Sequence, residues 1–223
     1  MKISVILPCR NEEKTISLCI QKINKALQGK YDYEIIISDS SKDRSSQIAE
    51  KFKKTKIVKH KQVGYGNAIN KGVEKSMGEI IIIGDCDNTY DFLETEKIIK
   101  QLRTCDLVIG SRYKGKIEKG AMPITHKYLG TPLINLLIKI LYKKWVTDAN
   151  SGFRGIKKQK LQKLKLKSKG MEYASEMIIK AIKNKYKIKE VGVNYKKRVG
   201  KSKLKTIKDG KRHIKLILKM RKK

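Results

Sequence analysis

A chain of 223 residues with 39% hydrophobic and 34% charged side chains is long enough to bury one substantial core and too apolar to be disordered. Its formal net charge of +33, from 54 Lys and Arg against 21 Asp and Glu, calls for anionic partners, which are nucleic acid, an anionic membrane surface or phosphorylated substrates. Scattered cysteines (Cys9, Cys19, Cys86, Cys105) exclude a disulfide scaffold, and Met1 running straight into an apolar strand predicts a cytosolic protein without a secretory leader.

The first half alternates strand and helix with little filler. Apolar runs predict strands over 3–7, 33–38, 57–59 and 79–83, and helical periodicity fills 13–28, 45–52 and 66–76 between them. Such βαβ alternation predicts an α/β protein whose mostly parallel sheet carries helices on both faces, and ligands of such sheets sit at the strand C-termini. Four polar turns therefore converge on one edge: 8–12, 39–43, 64–66 and 85–87. Beyond them, 94–103 reads as a helix and 107–110 as a strand. The basic, Gly-containing stretch 113–127 has the length of a substrate loop. Segment 132–144 is an apolar helix, either packed on several sides or laid against a membrane, and the stretch 128–145 is broken by Lys139, Lys143 and Lys144, too short to span one. A helix over 172–185 and a strand over 190–195 follow. The end, 207–223, is a basic amphipathic segment distinct from the domain before it. It would lie in a headgroup layer or remain a solvated tail.

The motif that carries most chemistry is Gly84-Asp85-Cys86-Asp87, two carboxylates one residue apart at the end of an isoleucine strand. On a continuing strand both face the same side and can converge on a hard divalent ion, Mg2+ or Mn2+, whose other ligands are water and phosphate oxygens. Capping of a turn is the bland alternative for the same pair. His60, His126 and His213 have no zinc-site spacing and read as incidental.

With this motif in place, Leu7-Pro8-Cys9-Arg10-Asn11-Glu12, Ser38-Asp39-Ser40-Ser41-Lys42-Asp43 and Gly64-Tyr65-Gly66-Asn67 form a series that resembles the nucleotide-sugar half of a family 2 glycosyltransferase. Gly110-Ser111-Arg112-Tyr113, Asp148-Ala149-Asn150-Ser151-Gly152-Phe153-Arg154 and Gly200-Lys201-Ser202-Lys203 resemble the branch that loads a sugar onto polyprenyl or dolichyl phosphate. The resemblance implies a GT-A fold over 1–206, with a donor half (1–110) and an acceptor half (111–206). It implies a metal-dependent, inverting transfer. Asp87 is then the direct metal ligand, and Asp85 touches the metal through water or holds the donor ribose. Pro8, Arg10, Glu12, Asp39, Gly64 and Gly66 line the nucleotide sugar, with Glu12 and Asp39 accepting from base and ribose. Arg112, Arg154, Arg198, Lys201 and Lys203 are the cations for the phosphates, and Asp148 either orients Arg154 or acts as a base. An acceptor that is already a phosphate anion needs little deprotonation, which favours orientation.

The implied donor is a UDP-sugar such as UDP-glucose or UDP-N-acetylglucosamine, with GDP-mannose as the alternative. The implied location is the inner face of the cell membrane, held peripherally through its anionic surface. Two other classes compete. A nucleotidyltransferase acting on sugar phosphates would place a Gly-rich basic loop after the first strand, where this chain has Pro8 to Glu12. A nucleic-acid binder is supported by charge alone. With 6% aromatic residues and no recognisable binding motif, no nucleic acid is expected.

Overall fold

Isoleucine runs build the centre of the molecule. The computed structural model describes residues 1–200 and 206–221. Its strands are β1 (Lys2–Cys9), β2 (Asp32–Asp39), β3 (Thr55–Lys59), β4 (Ile80–Ile83), β5 (Leu107–Ser111), β6 (Arg154–Lys157) and β7 (Ile188–Gly192). They form one seven-stranded sheet in the order β3-β2-β1-β4-β6-β5-β7. All neighbours are parallel except β6, which runs antiparallel to both β4 and β5. The expected mixed, mostly parallel sheet is therefore present.

Strand periodicity explains why it is covered twice. Val5, Leu7, Ile35, Ile37, Ile80 and Ile82 point to one face, where α1 (Ile16–Leu27) and α4 (Thr95–Leu102) bury Ile20, Ile23, Ile98 and Leu102 against them. Ile6, Ile36, Ile81 and Ile83 point to the other face, where Ile69 of α3 (Tyr65–Lys75), Leu161 and Leu164 of α6 (Lys158–Leu164), and Tyr173 and Met177 of α7 (Tyr173–Lys183) cover them. Strands buried on both faces read as continuous apolar runs, which is why β4 is Ile80-Ile81-Ile82-Ile83. The short α2 (Ser45–Glu50) packs beside β3 and α1.

A third cluster joins α5 (Thr131–Tyr142), α7 and α8 (Thr206–Arg221) through Ile134, Ile138, Ile178, Ile179 and Ile217. Of the two outcomes foreseen for the apolar helix, packing holds for one side of α5, and the other side is open. Ile134, Asn135 and Ile138 are buried, while Leu133, Leu136 and Ile140 are exposed. The terminal helix differs from expectation. Instead of standing apart from the domain, α8 lays Ile214, Ile217 and Met220 on α5 and α7, and the Tyr142 hydroxyl donates to the Ile217 carbonyl at 2.6 Å. An amphipathic stripe needs an apolar partner, and the two neighbouring helices supply it.

The docking of α8 predicts an asymmetry within one helix. Ile217→Ala, at a fully buried position, lowers unfolding free energy by about 2–4 kcal/mol. Ile207→Ala, at a position 76% exposed, leaves it within about 0.5 kcal/mol of the parent. Urea denaturation measures both, and equal small effects would mean that α8 is not part of the core.

Candidate active site

Every parallel strand of the first half ends at the same edge, and the turns that follow enclose a cavity of about 460 Å³. Of the residues expected in the site, Pro8, Arg10, Glu12, Gly64, Asp85, Asp87, Arg112 and Arg198 line it. Tyr65, Tyr90, Asn150, Tyr195, Lys208 and Arg212 also line it, and the sequence assigned none of them a role there, although Tyr65 and Asn150 lie within its motifs. Lys201 and Lys203 lie outside the described residues.

The carboxylates after β4 divide their work. Asp87 Oδ1 accepts from the Thr89 backbone nitrogen at 3.0 Å and its hydroxyl at 2.6 Å, which shapes the turn. Asp87 Oδ2 accepts from Arg198, whose other terminal nitrogen donates to Glu12. Arg198, expected among the acceptor cations, thus bridges two donor-side acids. Burial and then the charge of Asp87 push the Asp85 carboxyl up to about 7, despite Arg198 and Arg112 nearby. A buried carboxyl held up by burial and by a neighbouring acid, with both facing one cavity, suits a divalent cation. Among the described residues no group of three His, Cys, Asp or Glu side chains could hold an ion unaided. The pair therefore fits a hard ion that arrives with diphosphate oxygens and water.

Several assignments change. Asp39 does not line the cavity, though Ser40 does. Its carboxylate accepts from the Ser41 backbone nitrogen at 3.0 Å and from the hydroxyls of Ser41 and Ser46, so it braces the turn after β2. Gly66 is also absent from the lining. A Cβ there would lie 2.1 Å from the Ser168 carbonyl oxygen, and one on Gly64 (φ +134°) 2.3 Å from that of Lys169. These glycines admit the 168–169 backbone, and only Gly64 also faces the cavity.

The largest correction concerns the arginines. Arg154 is 2% exposed, and its guanidinium donates to the carbonyls of Ser151 (2.7 Å), Ala174 (2.8 Å) and Ala149 (2.7 Å). It clips the Asp148-to-Arg154 loop to α7 and is not available to a phosphate. Asp148 pairs with Arg112 instead. Its Oδ2 accepts from Arg112 Nε at 2.7 Å and the Arg112 backbone nitrogen at 2.9 Å, and its Oδ1 from Nη2 at 2.7 Å. Burial works against the Arg112 charge, but Asp148 and then Tyr90 hold the guanidinium well above its ordinary value. Tyr195 stacks on it, 5.0 Å from ring centroid to guanidinium carbon. Nη1 has no partner among the described residues.

Asp148 is itself held from two sides. Glu190 of β7 accepts from the Thr147 and Asp148 backbone nitrogens at 2.8 and 3.2 Å. Asn135 of α5 donates to the Thr147 carbonyl at 2.7 Å and accepts from the Ala149 nitrogen at 3.0 Å. Neither stood out in the sequence, since an Asn in an apolar helix and a Glu in a strand carry no motif.

Beyond Arg112 lies a second cavity of about 180 Å³, walled by Met122, Leu133, Ile134, Met171 and Ile214, with His126 and His213 among its polar members. Arg112, Asn150, Met171 and Asp209 line both cavities. His213, read as incidental, is buried with Nδ1 2.7 Å from the Ser175 hydroxyl. Burial takes its pKa down to about 4, against the pull of Glu172 and Asp209, so it is neutral at neutral pH.

Comparison with known proteins agrees with this architecture. The chain is 36% identical over 219 residues to the low-salt glycan biosynthesis hexosyltransferase Agl6 of Haloferax volcanii, covering 97% of this chain but only 53% of that protein. It is 31% identical to the dolichol-phosphate mannosyltransferase of Pyrococcus furiosus, over 98% of this chain and 64% of the relative. It is 32% identical to the UDP-N-acetylglucosamine–dolichyl-phosphate N-acetylglucosaminyltransferase of Methanococcus voltae, over 86% and 84%. The chain thus spans about half to two thirds of the length of some of these relatives. Among solved structures, glucosyl-3-phosphoglycerate synthase from Mycobacterium tuberculosis, in complex with Mn2+, UDP and glucosyl-3-phosphoglycerate, superposes with a TM-score of 0.75 at 22% identity, covering 99% of this chain and 79% of that one. That likeness establishes the GT-A fold. Residues 4–165 match the model of glycosyl transferase family 2, and the chain belongs to that family.

Proposed function

We propose that this protein transfers a sugar from a nucleotide sugar, UDP-linked in the first instance and GDP-mannose in the second, to a polyprenyl or dolichyl phosphate, with inversion at the anomeric carbon. The observation that carries the reading is the position of Arg112, a buried cation shared by the cavity that holds Glu12, Asp85 and Asp87 and by a second cavity beyond it walled largely by apolar side chains. A ligand with an anionic head and an apolar tail suits that junction. The named relatives from Pyrococcus and Methanococcus act on dolichyl phosphate, which supports the acceptor.

In this reading the acceptor phosphate oxygen attacks the anomeric carbon while the bond from that carbon to the donor diphosphate breaks, so one phosphate ester replaces another and the nucleoside diphosphate leaves. Asp85 and Asp87 would hold Mg2+ or Mn2+, which supplies charge neutralisation for the departing diphosphate. Arg112 receives the acceptor phosphate through Nη1, in the fixed orientation that Asp148 imposes. Asp148 is spent on the bidentate pair, so orientation of Arg112 rather than proton removal is its role. Arg198, which pairs with both Asp87 and Glu12, would have to give up Asp87 as the donor complex enters. Lys208 and Arg212 of α8 add cationic wall to the same cavity.

No helix of the described residues is long and apolar enough to cross a membrane. Peripheral attachment at the inner membrane face accords with the +33 charge and with exposed Ile124, Tyr128, Leu129, Leu136, Ile140 and Trp145 around α5. The defining assay supplies a panel of labelled nucleotide sugars, MnCl2 and dolichyl phosphate. The expected product is organic-extractable label with one donor. Label passing only to 3-phosphoglycerate, in the aqueous phase, would replace the lipid acceptor with a small acid.

Two variants separate the halves of the site. Asp87→Ala reduces transfer by at least about 100-fold, as does excess EDTA with the wild type, because the main anchor for the metal is gone. Full activity under either condition would remove the metal assignment. Asp148→Asn weakens use of the acceptor by about 10–100-fold in kcat/KM while calorimetric affinity for the nucleoside diphosphate persists, since Arg112 loses its orienting charge but Asp85, Asp87 and Arg198 are unchanged. Lost donor affinity with unchanged acceptor kinetics would put Arg112 on the other substrate.

A further inference from the structure

Gly152 is the point at which the loop from Asp148 to Arg154 meets the acids after β4. It is buried and lines the larger cavity. Its φ is not positive, so other residues could adopt its backbone, and conformational freedom does not account for a glycine there. Space does. A Cβ on Gly152 would lie 2.5 Å from Asp85 Oδ2, 3.0 Å from its Cγ and 3.0 Å from Oδ1, and these are the three nearest heavy atoms. The Asp85 carboxyl thus occupies the space that any side chain at 152 would need. The backbone around Gly152 is pinned: its nitrogen donates to the Tyr90 hydroxyl at 2.8 Å, and its carbonyl accepts from the Tyr65 hydroxyl at 3.4 Å. On either side, the Ser151 hydroxyl donates to the Gly110 carbonyl at 2.6 Å, and the Phe153 carbonyl accepts from the Gly110 nitrogen at 2.8 Å. Tyr90 is itself buried against Phe153 and Tyr195, with ring centroids 5.6 and 5.1 Å away. A side chain added at 152 would therefore displace Asp85, which turns about its side-chain torsions, and not the loop.

We infer that Gly152 is a positioning residue for the donor-side divalent cation: its missing side chain seats the Asp85 carboxylate beside the cavity, and Tyr65 and Tyr90 hold that seat in place. The inference rests on the proposed metal-assisted transfer and adds how the second carboxylate is held. It gives one loop a part in both substrate sites. Asp148 at its start orients Arg112, Gly152 sets Asp85, and Arg154 at its end clips the loop to α7. The cation for the acceptor and the acid for the donor are thereby referred to a single fixed backbone segment, which matters because small misplacements of reacting groups cost rate steeply. A larger residue at 152 would move Asp85 and leave Asp87 where its bonds with Thr89 keep it. The two carboxylates would then no longer converge on one ion.

Calorimetry on the full chain tests this without turnover. UDP and GDP are each titrated in MnCl2 and in EDTA, and for the wild type Mn2+ tightens binding of at least one of them. Gly152→Ala weakens that Mn2+-supported affinity by about 10–100-fold, the usual cost of disturbing a group that orients a metal ligand, and changes affinity in EDTA by less than about twofold. Because the effect runs through one carboxyl, it vanishes once that carboxyl is gone: Gly152→Ala/Asp85→Ala binds within about twofold of Asp85→Ala alone. Should Gly152→Ala lower the melting temperature, Asp85→Ala restores it, since the atoms that the new Cβ meets have been removed. Undiminished Mn2+-supported affinity in Gly152→Ala, additive losses in the double variant, or unfolding by Gly152→Ala in both backgrounds overturns the seat and leaves the proposed transfer standing. Wild-type Mn2+-supported affinity in Asp85→Ala does the same, with Asp87 then anchoring the ion. No Mn2+ dependence with either nucleotide in the wild type overturns the metal assignment and the seat together.

Discussion

The buried pair of Arg112 and Asp148 is the interaction on which the second half of this protein is organised. A guanidinium taken out of water is tolerated only when a carboxylate meets it with good geometry, and removing one partner of such a pair typically costs about 3–5 kcal/mol. Here the pair is bidentate and joined by a third bond from the Arg112 backbone. Satisfying it draws β5, which leads into Arg112, against the loop that precedes β6. Glu190 on β7 and Asn135 on α5 then fix that loop through its backbone. Four elements are thus positioned by the need to keep one cation charged and oriented at the end of the cleft.

The donor side rests on an opposite imbalance. In a chain with 21 acids against 54 cations, Glu12, Asp85 and Asp87 nevertheless face one cavity, with Arg198 as a counter-ion to two of them. A general enrichment in lysine does not explain acids gathered where acids are scarce. Burial first and then the charge of Asp87 raise the Asp85 carboxyl, and a bound cation opposes both. The basic excess elsewhere acts at longer range, drawing phosphorylated ligands and anionic surfaces toward the protein without specifying which.

Much of this was legible in the residues, for a physical reason. Parallel strands covered on both faces need unbroken apolar runs, so β1, β2 and β4 stand out, and the turns after them lie at one edge by topology alone. What could not be read depends on contacts distant in sequence. Arg154-Gly155-Ile156-Lys157 carries no strand pattern, and it becomes β6 because the gap between β4 and β5 accepts it antiparallel. Asp148 and Arg154 are close in sequence and looked like partners, but the real partner of Asp148 is Arg112, delivered by β5. Asp39 carries the acid of the second turn, and the hydroxyls of Ser41 and Ser46, which the motif alone does not place, draw its carboxylate into that turn. The stripe on α8 was correctly amphipathic, yet amphipathicity names no partner, and α5 with α7 provides one.

The central claim is that one oriented guanidinium joins the donor cavity to the acceptor. A crystal structure of the full chain with Mn2+, UDP and geranyl phosphate tests it most directly. The account predicts the geranyl phosphate group within hydrogen-bond distance of Arg112 Nη1, with Arg112 still paired to Asp148. A phosphate seated elsewhere in the cleft, with Arg112 contacting only protein, would contradict it.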